Sequence, residues 1–402
     1  MTVVLIFFSI LFGSLITVFV TKKYFKKLAQ RLTQSMPSFF NASMQAENLR
    51  KLELWAKDLQ GLDKKKILYI VDYFGITGGA ETRVASQIKY LQSHGWECCL
   101  LSQYNMYSPL FSITNFHLNF SEHSLCEYLF EIVKKGNFDC VEFIFKDWNH
   151  IKKIDFDNLK TTCRVGCFVC NMTDLPDAYA NKFDYRITFT NNTIKLPNAV
   201  CIRNWLRFTP ENCWKFNNQK NALLISRIDL EKLPTIKNFI DICEKYAIAP
   251  MIAGPILDHS PKVRKQLSRI PPENLLSSIN TMEFLKHNHN SILFIAGVGQ
   301  VPLEAISFGY PALVVTHKKE VELSTFVTID NLDFLYRWNF VIRKCPITSS
   351  LGNLDAFFES LNDQSLSKFV IPTEDLERFS IDTAMREYLT HIHSSFPTEI
   401  TK

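Results

Sequence analysis

The 402-residue sequence lacks an excess of charge of either sign: 45 Lys and Arg stand against 40 Asp and Glu, a formal net charge of +5. A nucleic-acid-binding domain carries a basic stripe across its folded surface. Here the visible basic cluster is local, at Lys22, Lys23, Lys26, Lys27 and Arg31, so nucleic acid is not an expected partner. Low-complexity segments and short repeats are also missing. A disulfide framework is excluded in the same way, because the 11 cysteines are odd in number and scattered through a long chain, a pattern that suits a reducing compartment. The sequons, those at Asn41 and Asn171 among them, are then chance matches. Cys163, Cys167 and Cys170 do not make a zinc set: in a strand the first two share one face and the third points to the other.

One long apolar run is present. Residues 3–20 read VVLIFFSILFGSLITVFV without an ionisable side chain, and as a helix they would span about 27 Å, close to a bilayer core. The chain begins Met-Thr and the run ends Thr-Lys-Lys, so neither the basic start nor the small-residue cleavage site of a signal peptide is there. Residues 1–21 are therefore expected to be an uncleaved transmembrane anchor, and the basic cluster behind them puts the bulk of the chain on the cytoplasmic side. Residues 22–65, polar with scattered leucines, are expected to be a helical juxtamembrane linker near the membrane surface, without a core.

From residue 66 the pattern changes, and 47% hydrophobic residues suffice for two sizeable cores. Ile67-Leu-Tyr-Ile-Val71 is a short strand, 72–79 a turn, and 80–94 a helix with Val84, Ile88 and Leu91 on one face. Gly95 closes that helix, and a strand follows at 97–102. This βαβ grammar recurs as strand 221–226, helix 235–246 and strand 250–254, and again as strand 292–296, helix 302–308 and strand 311–315. The expected fold is α/β: two Rossmann-like domains, at 66–208 and 209–372, facing each other across a cleft. The last segment, 373–402, is expected to hold a helix crossing back between them.

Three loops carry the chemistry. The first, Asp72-Tyr-Phe-Gly-Ile-Thr-Gly-Gly-Ala-Glu-Thr-Arg83, lets the backbone at Gly78 and Gly79 approach a ligand at a helix N-terminus. It has GxxGG rather than GxGxxG, and its second strand ends Leu-Leu-Ser-Gln without the acidic residue of a dinucleotide site. A tight turn without ligand is the plain alternative. In the second loop, Ser226-Arg-Ile-Asp-Leu-Glu-Lys-Leu-Pro234, Arg227 and Lys232 stand at the carboxyl end of a strand, where open parallel sheets bind ligands. Two cations there suit a diphosphate, against the alternative of solvated loop charges. In the third, Ala296-Gly-Val-Gly-Gln-Val-Pro-Leu-Glu304, the N–H groups of Val298, Gly299 and Gln300 can face a phosphate. Glu304 is read as lying in the first turn of the following helix, either complementing its dipole or accepting hydrogen bonds from a ribose. His287 and His289 read as loop residues, and Trp205 in Asn204-Trp-Leu-Arg207 as buried.

GGAE, SRIDLEK and GVGQVPLEAISFGYPA, in this order, resemble the GT-B glycosyltransferases of the family 4 type over residues 66–316. The resemblance implies a retaining transfer of a sugar from a nucleotide-sugar donor to a glycan or lipid-linked acceptor. The product would be a cell-surface polysaccharide or glycolipid, such as lipopolysaccharide or capsule, made by a single-pass inner-membrane protein on its cytoplasmic face. It also implies that Arg227 and Lys232 hold the donor diphosphate, that Gly297, Val298 and Gly299 line the donor sugar and phosphates, and that Glu304 binds the ribose. Gly78 and Gly79 would approach the donor phosphate or the acceptor from the other domain. Neither a metal nor any other cofactor is required, because the leaving phosphate assists the attack. Two departures stand out. The family's earlier glutamate, eight positions before Glu304, is Ala296 here, and the sugar-contacting histidine of the first domain has no counterpart; Asn171 or Asp174 lies in its region. A non-catalytic donor-binding or assembly subunit is therefore an alternative. A nucleotide-sugar epimerase of the same fold is a third reading, against which the expected anchor argues.

Overall fold

A computed structural model describes residues 64–74, 79–105, 115–117, 124–144, 152, 154–169, 179, 181–188, 198–206, 209–277, 279–318, 321–341, 352–363 and 365–394, with scattered positions between 47 and 58. The first half runs β1 (Lys66–Phe74), α1 (Gly79–Ser93), β2 (Glu97–Asn105), β3 (Asn115–His117), α2 (Ser124–Gly136), β4 (Cys140–Ile144), α3 (Phe156–Lys160), β5 (Arg164–Val169), β6 (Tyr185–Thr188) and β7 (Ala199–Cys201). Its strands lie side by side as β3-β2-β1-β4-β5-β6-β7, every neighbour parallel.

The second half repeats this plan with β8 (Asn221–Ile225), α4 (Leu233–Lys245), β9 (Ala249–Ala253), α5 (Pro261–Leu267), β10 (Leu275–Leu276), α6 (Thr281–His287), β11 (Ile292–Gly297), α7 (Gln300–Ser307), β12 (Ala312–Val314), β13 (Thr325–Phe326), α8 (Ile329–Arg337) and α9 (Leu354–Asp363). The strand order is β10-β9-β8-β11-β12-β13, parallel except for the last pair. Both sheets thus step outward in one direction for three strands and then restart beside the first. That reversal is the topological switch point of a doubly wound sheet, and the crevice there is where such folds bind ligands.

Local chemistry explains the elements. All six residues of β11 are buried, as expected of a central parallel strand covered by helices on both faces. In α4, Pro234 stands in the first turn and Ile236, Phe239, Ile240 and Cys243 turn one apolar stripe to the sheet. Helix α8 opens with a capping box between Thr328 and Asn331. One core fills the second half, while the first sheet has a separate core on each face.

The irregular segment 209–220 belongs to the second half: Trp214 is buried and donates Nε1–H to the Ile292 carbonyl at 2.9 Å. Near the C-terminus, a 3-10 turn (Thr373–Phe379) precedes α10 (Ile381–Ser394). Ala384, Met385, Tyr388 and Ile392 of α10 share a core with Ile67, Tyr69 and Val84 of the first half.

The expected membrane anchor is corrected. No helix among the described residues is long and apolar enough to cross a membrane, and residues 1–21, on which a single-pass inner-membrane protein was argued, lie outside the described residues. In the expected linker the described positions from Glu47 to Asp58 are helical, and Ala56 is fully buried.

Candidate functional site at the β8/β11 switch point

Strands β8 and β11 are adjacent and parallel, so the loops leaving their carboxyl ends start side by side. These are the loops of Arg227 and of Gly297–Gly299. The first is pinned from the side: Ile228 N–H donates to the Pro255 carbonyl at 2.9 Å and Leu257 N–H to the Ile228 carbonyl at 2.9 Å. This zipper needs Gly254, whose φ is +151° and where an added Cβ would lie 2.0 Å from the Ser226 carbonyl oxygen. Asp229 Oδ1 accepts the Lys232 N–H at 2.8 Å, so Lys232 enters α4 at a fixed point. The Arg227 guanidinium meets Asp229 Oδ2 at 2.7 Å through Nε and Glu231 Oε2 through Nη2.

The glycines of the second loop have different reasons. A Cβ on Gly297 would lie 2.5 Å from Val301 Cγ1, so packing alone demands glycine there. Gly299 has φ +68° and open space where a Cβ would stand, so its backbone conformation makes the demand. Its N–H donates to the Phe340 carbonyl at 3.2 Å. The expectation that Gly299 offers this N–H to a phosphate is therefore corrected. What α7 does offer are the N–H groups of Gln300 and Val301, since Pro302 has none and Leu303 already donates within the helix.

Glu304 also stands differently from expectation. Helix α7 begins at Gln300, so Glu304 is its fifth residue and lies past the first turn, where a helix dipole does little for it. Its side chain is 2% exposed. Ala296, at the end of β11, is fully buried in the core of the second half.

Some contributors were not foreseen. Gln300 donates Nε2–H to the Trp205 carbonyl at 2.9 Å, tying the start of α7 to the segment that joins the halves. Trp205 is buried under the Arg83 guanidinium, 4.4 Å above its ring, and Arg83 donates to the Ile202 carbonyl at 2.7 Å. Buried Asn238 of α4 donates to the carbonyls of Thr316 and Lys318 at 2.8 and 2.7 Å, fixing the loop after β12 beside the same crevice. In sequence these are ordinary polar residues; of them all, only Gly254-Pro255 after a strand carried a turn signal.

The remaining candidates divide simply. Gly79 begins α1, at the carboxyl end of β1 and next to the corresponding reversal, β1/β4, of the first sheet. Gly78, Asn171, Asp174 and Cys170 lie outside the described residues. Cys163 and Cys167 are buried in one apolar core, and burial pushes the Cys163 thiol up to about 12, the wrong direction for a metal-binding thiolate. Among the described residues no group of His, Cys, Asp and Glu is placed to hold a metal ion.

Neither a protein-family model nor a curated protein matches the sequence. Solved structures do match the fold. A glycosyltransferase from Rickettsia africae is 13% identical with a TM-score of 0.57, over 84% of this chain and 100% of the other. Anabaena HepE, solved in complex with UDP-glucose, is 13% identical with a TM-score of 0.58, over 82% and 99%. The lipopolysaccharide outer core galactosyltransferase WaaB is 13% identical with a TM-score of 0.54, over 82% and 100%. At such identities the likeness concerns architecture: the chain has the two-sheet GT-B fold of these glycosyltransferases.

Proposed function

We propose that the protein is a retaining glycosyltransferase that moves a sugar from a nucleotide-sugar donor to a hydroxyl of a glycan or lipid-linked acceptor in cell-surface polysaccharide synthesis. The observation that carries the reading is that the Arg227–Lys232 loop and the Gly297–Gly299 loop leave neighbouring strand ends at the β8/β11 switch point. The UDP-glucose complex of a protein with the same fold supports a nucleotide sugar as the ligand.

In this reading Arg227 and Lys232 neutralise the charge that grows on the departing nucleoside diphosphate, and the first turn of α7 adds fixed N–H dipoles, so that electrostatic preorganisation lowers the barrier. Glu304 receives the ribose hydroxyls. The acceptor approaches from the first half past Gly78 and Gly79, with Asn171 or Asp174 near the transferred sugar. The acceptor oxygen attacks on the face the nucleotide leaves, and the leaving phosphate oxygen takes its proton; no metal and no protein nucleophile enters.

The test is incubation of the purified protein with labelled nucleotide sugars, with and without a lipid-linked or oligosaccharide acceptor. Release of nucleotide with transfer of label is expected. A second reading has its own observation: Ala296 puts a buried methyl where the resemblance expects a carboxylate near the donor sugar. A chain that binds donors but turns none over would be a donor-binding subunit, and the enzyme assignment would fall.

A further inference from the structure

The two cations at the switch point already share an anion. Glu231 places Oε2 on Arg227 Nη2, and its other oxygen, Oε1, lies 3.8 Å from Lys232 Nζ. One carboxylate thus lies between the two charges that the proposed function gives to a diphosphate. The neighbouring acid, Asp229, is in a different position. Its Oδ1 caps the Lys232 N–H and its Oδ2 holds Arg227 Nε, and its side chain is 18% exposed against 53% for Glu231. Asp229 cannot leave without uncapping the loop, whereas the Glu231 side chain caps nothing there and is more than half exposed.

Resting on the diphosphate assignment above, we propose that Glu231 is a resident anion: in the empty site it takes the place of a phosphate oxygen between Arg227 and Lys232, and an arriving diphosphate displaces it. Asp229 stays behind and keeps the guanidinium aimed. The physical case is one of unequal competitors. Ion pairs between exposed groups are weak and are screened by salt, and the Arg227 side chain is 42% exposed, so Glu231 is released at small cost. A diphosphate brings more charge and more acceptor oxygens to the same donors. Glu231 then keeps the two like charges from repelling each other in the empty protein, and raises the threshold a monoanion must pass to bind.

Glu231 therefore opposes binding, and its removal has a definite sign. Inorganic pyrophosphate and UDP are titrated calorimetrically into the full chain and into Glu231→Gln, Asp229→Asn, Arg227→Gln and Lys232→Gln, each checked for an unchanged unfolding temperature. Glu231→Gln is expected to bind both ligands about two- to fivefold more tightly, with the gain fading at about 1 M salt, while Asp229→Asn binds more weakly. If Arg227→Gln and Lys232→Gln lose affinity but Glu231→Gln binds equally or less tightly, the resident-anion role is overturned and the diphosphate site stands. If the unmodified protein binds neither ligand, or the two cation variants bind as well as it does, the diphosphate site itself is wrong and the inference falls with it.

Discussion

Replacing Glu142 by Gln should stabilise the protein at alkaline pH relative to acid. Glu142 stands on β4, 1% exposed, and its Oε2 accepts hydrogen bonds from Tyr388 of α10 at 2.8 Å and Tyr185 of β6 at 3.3 Å. Tyr69 joins the same cluster, 3.5 Å from the Tyr388 hydroxyl and 2.9 Å from Gln87 Nε2. Burial pushes the Glu142 carboxyl up to about 7, and the Tyr388 hydrogen bond, the Arg83 charge and the Tyr185 and Gln87 hydrogen bonds offset only part of that. In the unfolded chain it titrates near 4.5. The folded state therefore holds this proton more tightly, and the stability it contributes is fully present below about pH 4.5 and lost as pH rises through 7. A shift of that size corresponds to about 3 kcal/mol.

Gln keeps an oxygen acceptor for both tyrosines and carries no charge at any pH. Urea unfolding of both proteins by circular dichroism from pH 4 to pH 8.5 gives the stability difference at each pH. The variant's stability relative to wild type should improve by about 3 kcal/mol between pH 4 and pH 8.5, and any pH-independent cost of the substitution cancels. A difference flat to within about 1 kcal/mol would show that Glu142 titrates like a solvated carboxylate, and that α10 is not sealed onto the first sheet as described.

Three further substitutions test separate roles. Gly254→Ala, facing the Ser226 carbonyl at 2.0 Å and holding φ +151°, should cost about 2–3 kcal/mol and weaken nucleotide binding by shifting the Arg227 loop. Gly299→Ala meets no neighbour but holds φ +68° and ψ −118°, outside the left-handed helical well, so it should cost about 1–3 kcal/mol by backbone strain alone; an unchanged unfolding temperature would contradict this. Glu304→Ala should weaken UDP binding by about 1–3 kcal/mol, and unaltered affinity in a folded variant would remove the ribose assignment.

Much of the scaffold was legible because parallel strands advertise themselves as apolar runs. β1, β8 and β11 lie where those runs are, and α1 and α4 follow the apolar stripes of Val84, Ile88, Leu91 and Ile236, Phe239, Cys243. β6 escaped notice because its four residues include Arg186, a fully buried arginine, and a charged residue masks the strand signal. The start of α7 was misplaced by two residues because Pro302 read as the first helical position; a proline at the third is equally free of cost, since no N–H in the first turn has an intrahelical partner. That shift alone moved Glu304 out of the first turn.

At the site, motifs that end strands were readable one loop at a time. The Gln300–Trp205 and Asn238–Thr316 contacts join residues 95 and 78 positions apart, and only the folded chain brings them together. Gly297 carries two reasons at once: beside the ligand approach expected of it, it has a packing reason in Val301 that only the folded chain displays.

The central claim is that the crevice between β8 and β11 holds a nucleoside diphosphate. Titration of UDP into the unmodified protein and into the Arg227→Gln/Lys232→Gln double variant tests it most directly. Saturable binding that falls at least about tenfold in the double variant, as loss of charge-assisted contacts to a diphosphate requires, is the expected result. Absence of binding, or equal binding by a folded double variant, would contradict it.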